Sequence, residues 1–287
     1  MSDVATKTSS VTMSQTPFDI NVRKDIKWDF AKVEARFVLG NPLISYLWAG
    51  MSAGAPPIER FFIKQLKPTI DTIKDDKKLI QDVQDMIAQE IQHSLAHLKL
   101  NKHLATLGYD IKGSTKLFEG ILHKMTKDFT PVDMLGVVAA GEHALYSFAK
   151  VFVNSPEIRE TMHPDVERLF LYHFLEEAEH GAVSHDQYRY FAGNKYFHRL
   201  KTAFRARYVI SMFSQVTNLF ARGFNYKPTL MDRYEFFYYL WGYPGVLRKV
   251  TFHLLAYLAP WYKLTFTHED LETLKAWNEQ LYARQKE

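Results

Sequence analysis

Residues 89–97 read QEIQHSLAH and residues 173–180 read HFLEEAEH, and each run holds a glutamate followed three positions later by a histidine: Glu90 with His93, Glu177 with His180. Three apart on a helix, two side chains project from one side a single turn apart, so both members of a pair can reach one bound ion. Both pairs also lie on apolar stripes. Val83, Met86, Ile87, Glu90, Ser94, His97 and Leu98 share a face of a helix expected from about Asp76 to Leu107 and closed by Gly108. Leu169, Phe170, His173, Glu177, His180 and Ser184 share a face of another, expected from Pro164 to Phe191. A carboxylate on such a face is costly to bury unless something compensates its charge.

Two more stripes carry a single glutamate each. Pro56-Pro57 reads as a helix start, since proline is tolerated in a first turn, and Glu59, Phe62, Ile63, Leu66, Ile70 and Ile73 follow it, with a kink expected at Pro68. After Thr130-Pro131 come Leu135, Val138, Glu142, Leu145 and Ala149, and a short helix is expected at Thr115–Lys127 before them. Glu59 precedes Glu90 by 31 residues and Glu142 precedes Glu177 by 35, which makes two similar hairpins joined by a long crossover. Helical spacing runs almost throughout, so the fold class is all-α. The order Glu, Glu-x-x-His, Glu, Glu-x-x-His is that of ferritin-like di-iron and di-manganese bundles. We therefore expect a disordered tail at 1–17, a ferritin-like four-helix bundle over 18–193, and additional C-terminal helices over 194–287. The six expected metal ligands are Glu59, Glu90, His93, Glu142, Glu177 and His180.

Composition narrows the chemistry. The 287 residues, 47% hydrophobic and 24% charged, exclude a wholly disordered or collagen-like chain. The absence of cysteine removes disulfides, iron–sulfur clusters and thiol nucleophiles, leaving His, Asp and Glu to hold any metal. A net charge of +4 does not call for nucleic acid. The N-terminus lacks the apolar core of a secretory signal, and the longest apolar candidate, Thr251–Tyr262, is broken by Pro260, so a cytoplasmic location is expected. Half of the 42 aromatic residues fall between Tyr190 and Tyr262, interleaved with Arg199, Lys201, Arg205, Arg207, Arg222, Arg248 and Lys249. Three readings stay open for them: further core, the lining of an apolar substrate site, or a peripheral membrane face.

The run from about Val22 to Tyr190 resembles the bacterial family described as predicted metal-dependent hydrolases, through NVRKDIKWDF, APPIERFF, IAQEIQHSLAHLKLN, GEHAL and YHFLEEAEHGAVSHDQY. Two departures are mild: Pro57-Ile58 stands where a glycine is expected and Tyr172 where a tryptophan is. The resemblance implies a ferritin-like metal protein. On the residues alone, an O2-dependent oxidoreductase of hydroxylase, desaturase or oxygenase type is the leading expectation, with two iron ions (or manganese, or one of each), O2 as co-substrate and a small or medium apolar substrate. Lacking its own iron–sulfur relay, such an enzyme would draw electrons from a separate reductase or ferredoxin. The alternative is a two-metal hydrolase of an ester or phosphoester; the third is iron handling without catalysis. A homodimer is compatible with all three.

At about 100° per residue, His97 falls within roughly 20° of Glu90, and His173 within roughly 40° of Glu177. Both are candidates for extra ligands, hydrogen-bond partners of ligands, or catalytic acids and bases. Tyr146 points to the same end, and a substrate mouth is expected there, lined by His97, Tyr146, His173 and a Gly54-Ala55-Pro56 loop. Glu176 and Glu179 lie off the ligand face and are expected at the surface or behind the ligands.

Overall fold

A computed structural model describes residues 12–283, without the side chains at positions 206, 207, 209 and 210. It is all-helical: α1 Pro42–Ile70, α2 Lys77–Thr106, α3 Ile111–Thr126, α4 Pro131–Val153, α5 Pro156–Arg159, α6 Pro164–His180, α7 Val183–Ala192, α8 Tyr196–Gly223, α9 Leu230–Trp241, α10 Val246–Ala256 and α11 His268–Ala283. Helix α1 packs along α2, α4 along α6, and α2 against α6 and α7, with α3 in the crossover between the two hairpins.

Several starts follow from local chemistry. The Asp76 carboxylate accepts the Leu79 amide at the head of α2, and Thr130 with Asp133 forms a reciprocal capping box at the head of α4. The first helix departs from expectation. It starts at Pro42, capped by the Asn41 side chain, and runs straight through Pro56 and Pro57. Proline cannot donate to the carbonyl four residues back, so Pro56 frees the carbonyl of Ser52. Asn101 Nδ2 on α2 takes that oxygen at 2.9 Å. Gly54-Ala55-Pro56 is consequently helix and not loop, and the expected mouth is closed there.

The expected fourth helix is two. It breaks after His180, where the Tyr146 ring lies so close that a Cβ on Gly181 would meet it at 2.5 Å, and α7 resumes at Val183. Residues 12–17, expected in a disordered tail, are tied down instead. Thr12 Oγ1 and the Met13 amide donate to Asp76, and the Gln15 amide donates to Asp186 at 2.7 Å. Residues 1–11 lie outside the described residues.

Two apolar clusters fill the interior. One joins Trp48, Ala53, Leu100, Phe152, Phe170 and Phe174; the other joins Phe62, Leu66, Val83, Met86, Leu135 and Val138. Glu59, Glu90, His93, Glu142, Glu177 and His180 fall at the border of the two, so a polar layer crosses the interior, while His97 and His173 lie among residues of the first cluster. After Gly193 the chain is helical, and its inner aromatics pack inward: Phe220 and Phe224 lie against Tyr46 and Tyr109, and Tyr239 accepts from Trp48 Nε1 at 3.0 Å. No helix among the described residues is long and apolar enough to cross a membrane.

Candidate metal centre

The polar layer gathers all six sequence-expected ligands and His173, none more than 5% exposed. They fall into two groups able to hold an ion, Glu59, His93 and His173 in one and Glu90, Glu142, Glu177 and His180 in the other, each with ligand atoms mutually within 4.8 Å. Glu90 and Glu177 face both groups. Glu90 Oε1 lies 3.2 Å from His180 Nε2, and its Oε2 lies 3.7 Å from His93 Nδ1. Glu177 Oε2 lies 3.2 Å from His180 Nε2, while its Oε1 lies 3.8 Å from His93 Nδ1 and 3.3 Å from His173 Nε2.

The layer fits cations. Both oxygens of Glu90 and of Glu142, with Glu59 Oε1 and Glu177 Oε1, are buried without a hydrogen bond, a condition native interiors rarely tolerate. His180 Nε2 is within 3.3 Å of three carboxylates, yet its single N–H can be directed at one only, Glu177. Burial, and then neighbouring carboxylates, pushes Glu59 and Glu142 well above the usual range; burial also raises Glu177. At Glu90 burial is outweighed by the imidazoles of His180 and His93, which hold its carboxyl down at about 2. Burial also opposes charge on those two imidazoles, but their carboxylate neighbours prevail and raise both. The positive charge that this layer requires can come from protons or from metal ions.

Behind the ligands, the residue that precedes each paired glutamate braces the histidine of the other helix. Gln89 Oε1 accepts from His180 Nδ1 at 2.7 Å. Glu176 Oε2 lies 2.9 Å from His93 Nε2, though off the line of a good hydrogen bond. Buried Arg23 joins both braces: it donates to Glu176 at 3.0 Å and to Glu179, which also accepts from Gln89 Nε2 at 2.9 Å. Glu176 and Glu179 are therefore buried partners of Arg23 and not surface groups. Arg23 itself sits in the irregular segment ahead of α1 and had no sequence signal of its role.

His97 stands one step back from the centre. Asn101 spends Nδ2 on the Ser52 carbonyl, so its Oδ1 accepts the Ser52 hydroxyl at 2.8 Å. The hydroxyl oxygen then accepts from His97 Nδ1 at 3.0 Å, leaving His97 Nε2 to accept from His173 Nδ1 at 3.2 Å. Both imidazoles are neutral, since burial holds His97 down at about 3 and His173 well below its usual value. It follows that His173 Nε2 carries a bare lone pair, aimed at a carboxylate oxygen 3.3 Å away. Two lone pairs at that distance need a cation between or beside them.

Tyr146, expected at a substrate mouth with these histidines, packs over Gly181 instead, and no described hydrogen bond ties it to the carboxylates. No curated protein and no solved structure matches the chain. The family described as predicted metal-dependent hydrolase does match, over residues 22–263, a span that holds every residue of this centre and its braces. With its buried, cation-demanding layer of glutamates and histidines lying wholly inside that span, the chain belongs to the family of predicted metal-dependent hydrolases.

Proposed function

We propose that this chain is a two-metal hydrolase of ferritin-like architecture acting on an ester or phosphoester. Glu59, His93 and His173 would hold one divalent cation and Glu142 and His180 a second, with Glu90 and Glu177 placed between the two groups and able to serve both. The observation that carries the reading is the pair of carboxylates with one oxygen toward each ligand group. Bound there, two divalent cations would polarise the scissile ester or phosphoryl oxygen and acidify an attacking water. The chain's own residues set the frame for that chemistry. Ser94 donates to Glu59 Oε2 at 2.6 Å and fixes its free oxygen toward the centre. Arg23, through Glu176, Glu179 and Gln89, orients both paired histidines. The rings of Phe170, Tyr172 and Phe174 wall the histidines off from bulk water.

Hydrolysis agrees with the family description, whereas the O2-dependent oxidation that leads on sequence grounds has no support from it. Oxidation remains the second reading because of one feature, the enclosure of a four-carboxylate layer between two apolar clusters; iron or manganese and an external electron donor would then be required. Loading the protein with zinc, manganese or ferrous ion and assaying p-nitrophenyl acetate and bis(p-nitrophenyl) phosphate tests the choice. Metal-dependent turnover that disappears in Glu177→Ala is expected. No turnover with any of the three metals, together with O2 uptake by the ferrous protein, reverses the order.

The bare lone pair on His173 gives a sharper expectation. Ser52→Ala removes the acceptor of His97 Nδ1 and with it the reason for the tautomer of both imidazoles. Cation affinity at the Glu59 group should fall by about tenfold or more, read by calorimetric titration, with the Glu142 group changed less. Equal weakening of both groups would contradict the assignment.

Acidity supplies a further test. In the metal-free protein, Glu59, Glu142 and Glu177 are raised, so the folded state keeps protons that the unfolded state gives up above the ordinary carboxylate range. Raised His93 and His180 act in the same direction, with stability full below the unfolded imidazole value and lost above it. These five groups therefore make the metal-free fold weaker as pH rises. A bound cation replaces their protons, so the upward shift of melting temperature on adding metal should grow between about pH 6 and pH 8. A shift that shrinks over that interval would argue against cations in this layer.

A further inference from the structure

Helix α9 turns an apolar arc outward. Leu230, Met231, Tyr234, Phe237, Tyr238 and Trp241 fall within about 120° of one another at helical spacing, and all are exposed, Leu230 to 87%. The opposite side, with Tyr239 and Leu240, is the one that faces the protein. Neighbouring α10 repeats the arrangement, with Val246 and Val250 buried and Phe252 and Leu255 exposed, Phe252 to 73%; Trp261 follows at 83%. A soluble surface seldom shows so many large apolar side chains together.

The segment that carries this surface is rich in bases, of which Lys201 and Lys249 pair with Asp133 and Glu157, Arg199 is buried, and Arg248 also donates to the Trp241 and Gly242 carbonyls. Residues 194–263 hold eleven Lys and Arg against two acids, Asp232 and Glu235, while the rest of the chain has an excess of acid. Both acids are engaged. Asp232 accepts from Tyr226 and caps Thr229, and Glu235 accepts from Asn41. Exposed Arg233 and Arg248 lie beside the apolar arcs. A second copy is a poor occupant, because a two-fold contact would set this cationic surface against itself.

We propose that α9, α10 and Trp261 dock the protein onto an anionic phospholipid bilayer, with the Trp, Tyr, Phe and Leu side chains at the level of the headgroups and acyl boundary and Arg233 and Arg248 against lipid phosphates. Docking is peripheral, since no described helix is built to span. Phosphate on a soluble ligand shares part of this chemistry, but it gives no reason for the apolar arcs.

Flotation of the full chain with vesicles tests the proposal. The protein should float with phosphatidylcholine–phosphatidylglycerol vesicles, less with phosphatidylcholine alone, and less in high salt. The double variant F252S/W261S should weaken binding by about tenfold or more, and R233E should remove part of the preference for phosphatidylglycerol. Both changes lie at exposed positions, and circular dichroism and metal content should match the parent. Failure of the parent to float with any vesicle, or a dimer in size-exclusion chromatography that F252S/W261S splits, overturns the proposal.

Discussion

Glu177→Ala and Glu90→Ala should each empty the centre, taking bound divalent cations from two per chain to none, whereas Glu59→Ala and Glu142→Ala should each leave one. The difference follows from the two central carboxylates, which present one oxygen to each ligand group. Loss of metal will not reflect a failure to fold. In the metal-free protein burial, and then neighbouring carboxylates, raises Glu59 and Glu142, and burial raises Glu177, so removing one of these three relieves strain; Glu90 differs, because it is the carboxylate that His180 and His93 hold down. The Glu59, Glu142 and Glu177 alanine variants should melt at or above the temperature of the metal-free parent and Glu90→Ala below it, and metal should no longer raise the melting temperature of the two central variants. Elemental analysis with thermal melts reads both effects. Two cations retained in either central variant would remove the bridging assignment.

Arg23→Ala should bring the largest loss of stability, about 3–5 kcal/mol, or about 10 °C or more in melting temperature. Its guanidinium is 3% exposed and is the shared cation of Glu176 and Glu179. Truncation leaves two buried carboxylates beside a site already rich in negative charge. The combined variant R23M/E176Q/E179Q removes the charges together and should recover much of the loss, which separates an electrostatic cause from simple loss of packing. A melting temperature that Arg23→Ala leaves within about 2 °C of the parent would show the network to be dispensable.

The gathering of the six candidate ligands in one buried layer was legible because each position depends on one helix's own periodicity, and Glu90 and Glu177 stand out as carboxylates on apolar faces. Arg23 was not. It reaches Glu176 and Glu179 from more than 150 residues away in sequence, and an irregular segment has no period from which a side chain's direction can be read. Glu176 and Glu179 were left between the surface and a place behind the ligands because periodicity shows only that they lie off the ligand face; the segment carrying Arg23 covers that side, with α11 alongside, where Asn278 accepts from Arg23 Nε at 2.9 Å. One signal was available. Gln89 and Glu176 occupy equivalent positions ahead of Glu90 and Glu177, and aligning the two hairpins marks both as braces. The start of α1 was misread for a different reason: Pro56-Pro57 reads locally as a helix start, and only a partner on another helix makes a longer helix running through it tolerable.

That partner gives Pro56 a reach beyond its own turn. Because proline brings no amide hydrogen, the Ser52 carbonyl is open to Asn101; because Asn101 spends its amino group there, every later donor in the series points one way, through Ser52 and His97 to His173. A gap in the main chain of α1 is thus translated, across α2, into basicity at one nitrogen on α6. Alanine at position 56 would close the gap and restore an amide hydrogen that competes for the same carbonyl. The directionality of the whole series would then have no fixed origin, and the imidazole next to Glu177 would be free to present a hydrogen where a ligand needs an electron pair.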